Sequence, residues 1–175
     1  GLALTLFFLY RRSDQIIIDA VDAGAGFTIP DGATNLTVAK LRELSRRYKK
    51  NNVNASPVLV IEAEGRESLL GETEVTSSDF NTIRTLVNGQ LDSFLGFKII
   101  TLGDRATGGV PQTGNIVSGL SWDMNAVMAA WNRDPSVQSE YKLELDTTIT
   151  LSFLGMGAAV LKPEGAFKID YDITA

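Results

Sequence analysis

Two pairs of acidic residues are the only groups in this sequence through which an enzyme could work. Glu62 and Glu64 form one pair, and Asp170 and Asp172 the other. On a β-strand, residues two apart point to the same face. Either pair could then hold a hard cation or divide acid and nucleophile roles in glycoside cleavage. Strand faces turned to solvent carry acidic residues routinely, so each pair also reads as plain surface. The chain has no histidine and no cysteine. That removes the commonest general base and metal ligand, along with all thiolate and disulfide chemistry. No residue is assigned a catalytic, cofactor-binding or metal-binding role.

Two further segments invite a chemical reading. The loop GDRATGGVPQTGN, residues 103–115, is rich in glycine. It lacks the Gly-Lys-Ser/Thr ending of a phosphate loop, and a strand follows it where a phosphate site wants a helix N-terminus. A plain loop is the better reading. Lys40, Arg42, Arg46, Arg47, Lys49 and Lys50 cluster on one expected helix. They could meet DNA or an acidic neighbour. The net charge of −5 and the lack of interleaved aromatic residues favour a solvated face instead.

The elements that carry these residues follow from periodicity. At 175 residues with 44% hydrophobic and 21% charged content, the chain can bury one good core or two small coupled ones. It opens on glycine rather than methionine, and is expected to be a fragment or a processed product. Its first ten residues are apolar, but a membrane-crossing helix needs about 20. A signal peptide would place its positive charge before that run, and here Arg11 and Arg12 follow it. The spacing of Leu6, Leu9, Tyr10, Ile17, Ala20 and Val21 predicts a helix buried along one stripe. Residues 24–34, GAGFTIPDGAT, read as a linker with a Pro30-Asp31-Gly32 turn. Thr37 caps a helix with Val38, Leu41, Leu44 and Tyr48 inward.

Further along, residues 57–61 form a short apolar run expected as a strand buried on both faces. Residues 67–71 read as a short helix. A second helix follows a cap at Ser77, Ser78 and Asp79, buries Phe80, Ile83, Leu86 and Val87, and stops at Asn88-Gly89. Strands are expected at 94–102 and 117–122, a short helix at 123–131 broken by Asn132-Arg133-Asp134-Pro135, one long strand at 137–153, and a last strand at 166–173. In the long strand Tyr141, Leu143, Leu145, Ile149, Leu151 and Phe153 alternate with polar residues, and the first helix is the candidate to cover it. Helices and strands alternate without a strict βαβ rhythm, which makes the class α+β with two lobes.

The stretch ESLLGETEVTSSDFNTIRTLVNGQLDSFLGFKII, residues 67–100, resembles the axial domain of tailed-phage major capsid proteins. Arg11-Arg12-Ser13-Asp14 with Ile16-Ile17-Ile18-Asp19-Ala20 resembles the end of that family's spine helix, and residues 36–53 the helix after it. Gly119-Leu120-Ser121-Trp122 leading to Asn125-Ala126-Val127 resembles its strand and turn. Residues 144–160, ending Gly157-Ala158-Ala159-Val160, resemble its penultimate long strand and the turn into its end. The pattern is departed from at residues 55–61, where the family tends to carry a proline, an arginine and an aromatic.

The resemblance implies an HK-97-like fold, with a peripheral lobe made of a spine helix and a long strand beside an axial lobe. Residues 1–23 would be the spine helix, 24–136 the axial lobe, 137–157 the long strand, and 158–175 the return to the axial lobe. It implies a subunit that assembles with identical copies into pentamers and hexamers of an icosahedral phage head, in the virion and away from any membrane. DNA would be held by confinement, and portal, scaffolding or decoration proteins would be partners. The family's N-terminal arm and long two-stranded loop are missing, so the sequence would cover part of the subunit. An encapsulin-type compartment shares this fold and is the alternative shell. A carboxylate-dependent hydrolase is the alternative of a different class.

Overall fold

The computed structural model of the chain describes residues 2–53, 57–71, 93–103 and 109–174. The helix expected from Ser77 to Asn88 lies outside the described residues, as does the middle of the glycine-rich loop. Three helices are described: α1 (Leu2–Gly24), α2 (Val38–Lys50) and α3 (Ala63–Gly71). The strands are β1 (Phe27–Ile29), β2 (Val58–Ile61), β3 (Ser93–Phe94), β4 (Phe97–Thr101), β5 (Gln112–Thr113), β6 (Ile116–Trp122), β7 (Val127–Lys142), β8 (Thr147–Val160) and β9 (Ala166–Asp172).

A mixed seven-stranded sheet runs in the order β1-β9-β6-β2-β4-β3, with β5 paired to the start of β6. Its centre is the antiparallel pair β6–β9, in register from Ile116↔Asp172 to Trp122↔Ala166. Strand β2 pairs antiparallel to β6 and parallel to β4. Leu59, Val60 and Ile61 are all buried, as a strand covered on both faces requires.

Helix α2 covers one face. Thr37 caps it by accepting from the Lys40 backbone N–H, and Val38, Leu41, Leu44 and Tyr48 face inward at the expected spacing. They meet Leu59, Ile61, Phe97, Ile99, Val117, Phe167, Ile169 and Tyr171. Burying each of these aliphatic side chains stabilises the fold by about 1.5–3 kcal/mol. Tyr48 lies edge-on to Phe97 and Phe167, and its hydroxyl is 2.9 Å from Ser121 Oγ, which donates to the Val58 carbonyl. A buried polar chain of this kind costs little because each member has a partner. Burial drives the Tyr48 and Tyr171 hydroxyls far above their usual range, so both stay neutral.

The opposite face receives the second half of α1. Ile18 and Val21 pack on Leu120, with Trp122, Val127 and Val160 around them. The buried stripe of α1 differs from the expected one. Tyr10 is exposed, while Ser13 is buried and donates to the Tyr10 carbonyl at 2.6 Å. Asp22 of α1 pairs with Lys168 of β9.

Five expectations are corrected. Residues 24–34 are not merely a linker, because Phe27–Ile29 pairs parallel with β9 from Phe27↔Phe167 to Ile29↔Ile169. The strand expected at 94–102 is a hairpin, turning at Leu95 (φ 51°) and Gly96 (φ 85°) with Phe94 opposite Phe97. The expected helix at 123–131 is instead a turn followed by β7, and Gly157-Ala158-Ala159-Val160 is strand rather than turn. Alanine and methionine favour a helix locally, but pairing of Met128 and Ala129 with Ala159 and Ala158 overrides that preference. Finally, the single strand at 137–153 is a hairpin. β7 and β8 pair from Val127↔Val160 to Lys142↔Thr147, joined by a 3-10 turn at Leu143–Leu145 and by Asp146 at φ 44°. A lone strand that long would leave its backbone groups without partners, and folding back supplies them.

Candidate functional site

The structure places the two carboxylate pairs differently. Strand β2 ends at Ile61, so Glu62 and Glu64 are not on one strand. Glu62 is buried at the strand's end, whereas Glu64 is exposed in the first turn of α3. Asp170 and Asp172 do share a face of β9, yet each is engaged in local structure. Asp170 accepts from Ser118 Oγ at 2.7 Å. Asp172 accepts from the Thr174 hydroxyl and backbone N–H, which hold its carboxyl below the usual range. Among the described residues no three acidic side chains gather as a metal site.

The basic cluster divides in two. Arg42, Arg46, Lys49 and Lys50 are exposed, and Arg46 pairs with Glu43 at 2.7 Å. Arg47 also pairs with Glu43 and lies 3.4 Å over the Phe27 ring. Lys40 is different. Its ammonium donates to the carbonyls of Asp31, Thr34, Asn35 and Asp170 at 2.7–3.2 Å, fastening the segment before α2 to β9. The sequence held one signal of this: a lysine in the first turn of a helix opposes the helix dipole, and asks for another partner.

The feature with no counterpart in an isolated domain is the β7–β8 hairpin. At 16 residues, β7 reaches about 50 Å, and most of its length is exposed. Apolar side chains concentrate at its tip: Leu143 is 84% exposed and Leu145 67%, beside exposed Tyr141. The Tyr141 hydroxyl donates to Asp146, which holds the turn in shape. Midway, register shifts flank Arg133, whose guanidinium sits 4.0 Å over the Phe153 ring. The root is tied down where Leu161 donates to the Ala126 carbonyl. No helix among the described residues is long and apolar enough to cross a membrane.

A sheet with a helix on each face and a long hairpin projecting beyond it is the HK-97-like fold. The structure of Mycobacterium phage Che8 is similar at a TM-score of 0.71 and 18% identity, over 94% of this chain and 60% of that one. The acid-stable capsid of Helicobacter pylori bacteriophage KHP30 is similar at 0.70 and 11%, over 95% and 66%. The SrpI encapsulin complex of Synechococcus elongatus PCC 7942 is similar at 0.67 and 14%, over 99% and 65%. The chain thus spans 60% to 66% of these chains' own lengths. No curated protein matches it. The sequence profile of the phage capsid proteins matches residues 6–173, and the chain belongs to that family.

Proposed function

We propose that this chain is the body of a tailed-phage major capsid protein, a structural subunit and not an enzyme. Identical copies form the pentamers and hexamers of an icosahedral head, and the head encloses the DNA genome by confinement. Portal, scaffolding or decoration proteins are its further partners. The observation that carries this reading is the projecting hairpin. Its apolar tip is costly in water and is relieved when a neighbouring copy covers it. In the proposed subunit, α1 and the hairpin form the peripheral lobe, with the hairpin's limits at Val127 and Val160. The sheet under α2 belongs to the axial lobe, which converges on the capsomer centre.

The test is assembly. The full-length protein is expected to elute as capsomers or shells, and negative-stain images to show closed particles of uniform size. Replacing both Leu143 and Leu145 with serine should leave the melting temperature of the subunit within about 1–2 °C, because both side chains are already exposed. The same change should sharply reduce assembly. A monomeric full-length protein under assembly conditions would refute the reading. The encapsulin likeness supports a second reading, a protein-filled compartment. The contents of purified particles separate the two: nucleic acid for a phage head, protein cargo for the compartment.

A further inference from the structure

The far end of the hairpin has little to fix it to the rest of the subunit. From 138 to 152 every residue is exposed except Ile149, which is half-buried. Nearer the root, Val137, Phe153, Leu154 and Met156 are half-buried, and Val127 and Val160 pack with Ile18, Val21 and Leu120. Root and tip are also uncoupled along the ladder. The register shifts twice around Arg133, and Asn132, Asp134 and Pro135 have no opposite residue. Bulges interrupt pairing, and proline has no N–H to give. Beyond them the ladder lacks directly opposed apolar pairs: Leu151 faces Gln138, and Ile149 faces Glu140. The turn adds little. It is a 3-10 turn at Leu143–Leu145 closed by Asp146 at φ 44°, a left-handed conformation that a Cβ resists. It is not the tight two-residue turn that matches strand twist. The Tyr141 bond to Asp146 is exposed, so water competes for both groups. Two strands with no covering layer are marginally stable at best in water.

We propose that residues 138–152 form a separately melting unit, largely unfolded in the free subunit, which folds when a neighbouring copy covers it. This rests on the reading of the hairpin tip as a contact between copies. The tip opens without the rest of the subunit, because it contributes no side chain to either buried cluster. Tyr141, Leu143, Leu145 and Leu151 are the exposed apolar groups that a neighbour would cover, and that cover is the layer the free tip lacks. Ordering on contact costs conformational entropy, so each contact is weaker than one between preformed surfaces. A wrongly seated copy, which covers less of the tip, then detaches more readily. A free subunit meanwhile presents no fixed apolar surface at the tip on which others could aggregate.

Hydrogen exchange read by mass spectrometry on the full-length protein, as free subunits and as particles, tests this. In free subunits the amides that bond across 138–152 should exchange within about tenfold of an unfolded chain. Those of β6 and β9 should be slowed at least about 10³-fold. In particles the tip should gain protection. A covalent staple gives a second measurement. Ser139 and Thr150 are directly opposite, within disulfide reach, and the chain has no cysteine of its own. Oxidised Ser139→Cys/Thr150→Cys should half-assemble at a concentration about two- to tenfold lower than its reduced form, as expected if about a half to a tenth of free tips are folded. No difference between the two forms would overturn the proposal. A tip already as protected as β6 in free subunits would also overturn it, and would leave the assembly reading standing. A protein that never assembles would refute the assembly reading itself, and the folding on contact with it.

Discussion

Lys40 shows how far a single side chain can depart from the class its neighbours suggest. It sits in a run of basic residues, yet it is half-buried and its ammonium is shared among four carbonyls. Desolvation lowers its pKa, and the nearby carboxylates of Asp31, Asp170 and Asp172 oppose that shift. Lys40→Met should cost about 2 kcal/mol in urea unfolding, because the carbonyls lose a charged donor. Arg42→Gln, on the exposed side, should stay within about 0.5 kcal/mol. Equal effects would show that the carbonyl cage contributes nothing. Glu43 makes a prediction about pH. The Arg46 guanidinium bonded to it holds its carboxyl below 4.5, with Arg47 adding to that and desolvation opposing it. The folded value lies below the unfolded one, so this stabilisation is present above about pH 4.5 and is lost as pH falls through the folded value. Glu43→Gln should therefore lose less stability between pH 7 and pH 3 than the parent, and an identical loss would refute the pairing in solution.

Among the elements, Tyr171 of β9 depends on two glycines. A Cβ on Gly65 of α3 would lie 2.9 Å from its ring, and one on Gly119 of β6 would lie 3.3 Å away. The ring cannot yield easily, since its hydroxyl accepts from the Glu62 backbone N–H and the residue is fully buried. Gly65→Ala should lower stability by about 1–2 kcal/mol, even though alanine favours a helix by about 1 kcal/mol. A more stable variant would mean the ring moves aside freely. The hairpin turn at Leu95-Gly96 fails by another route. Space around Gly96 is open, so only its φ of 85° opposes a side chain. Gly96→Val should then reduce stability by about 1–2 kcal/mol, while Gly103→Val, where neither space nor φ objects, should not.

For the subunit as a unit, the distribution of charge bears on what it meets in a shell. A net charge of −5 and a basic helix in which Arg46 and Arg47 pair with Glu43 argue for weak DNA affinity at physiological salt. Replacing Arg46, Arg47, Lys49 and Lys50 with glutamine should leave assembly and genome content nearly unchanged. If those residues did contact phosphate, each would contribute about one unit to the slope of log affinity against log salt. A steep slope in the parent, flattened in the four-fold variant, would make this helix a genome contact.

Several features were decided by the sequence alone because they depend on local pattern. Helix α2, its Thr37 cap and its four buried residues follow from spacing of three and four, and the buried strand β2 from an unbroken apolar run. The absence of histidine and cysteine is likewise a matter of composition. Tertiary structure decided what depends on partners distant in the chain. Phe27–Ile29 is a strand only because β9 lies beside it, more than a hundred residues later. Residues 127–131 are strand only because residues 156–160 supply their hydrogen bonds. The alternation across residues 143–146 could not show a turn, since the 3-10 turn and the left-handed Asp146 keep polar and apolar residues in the same order as a strand would.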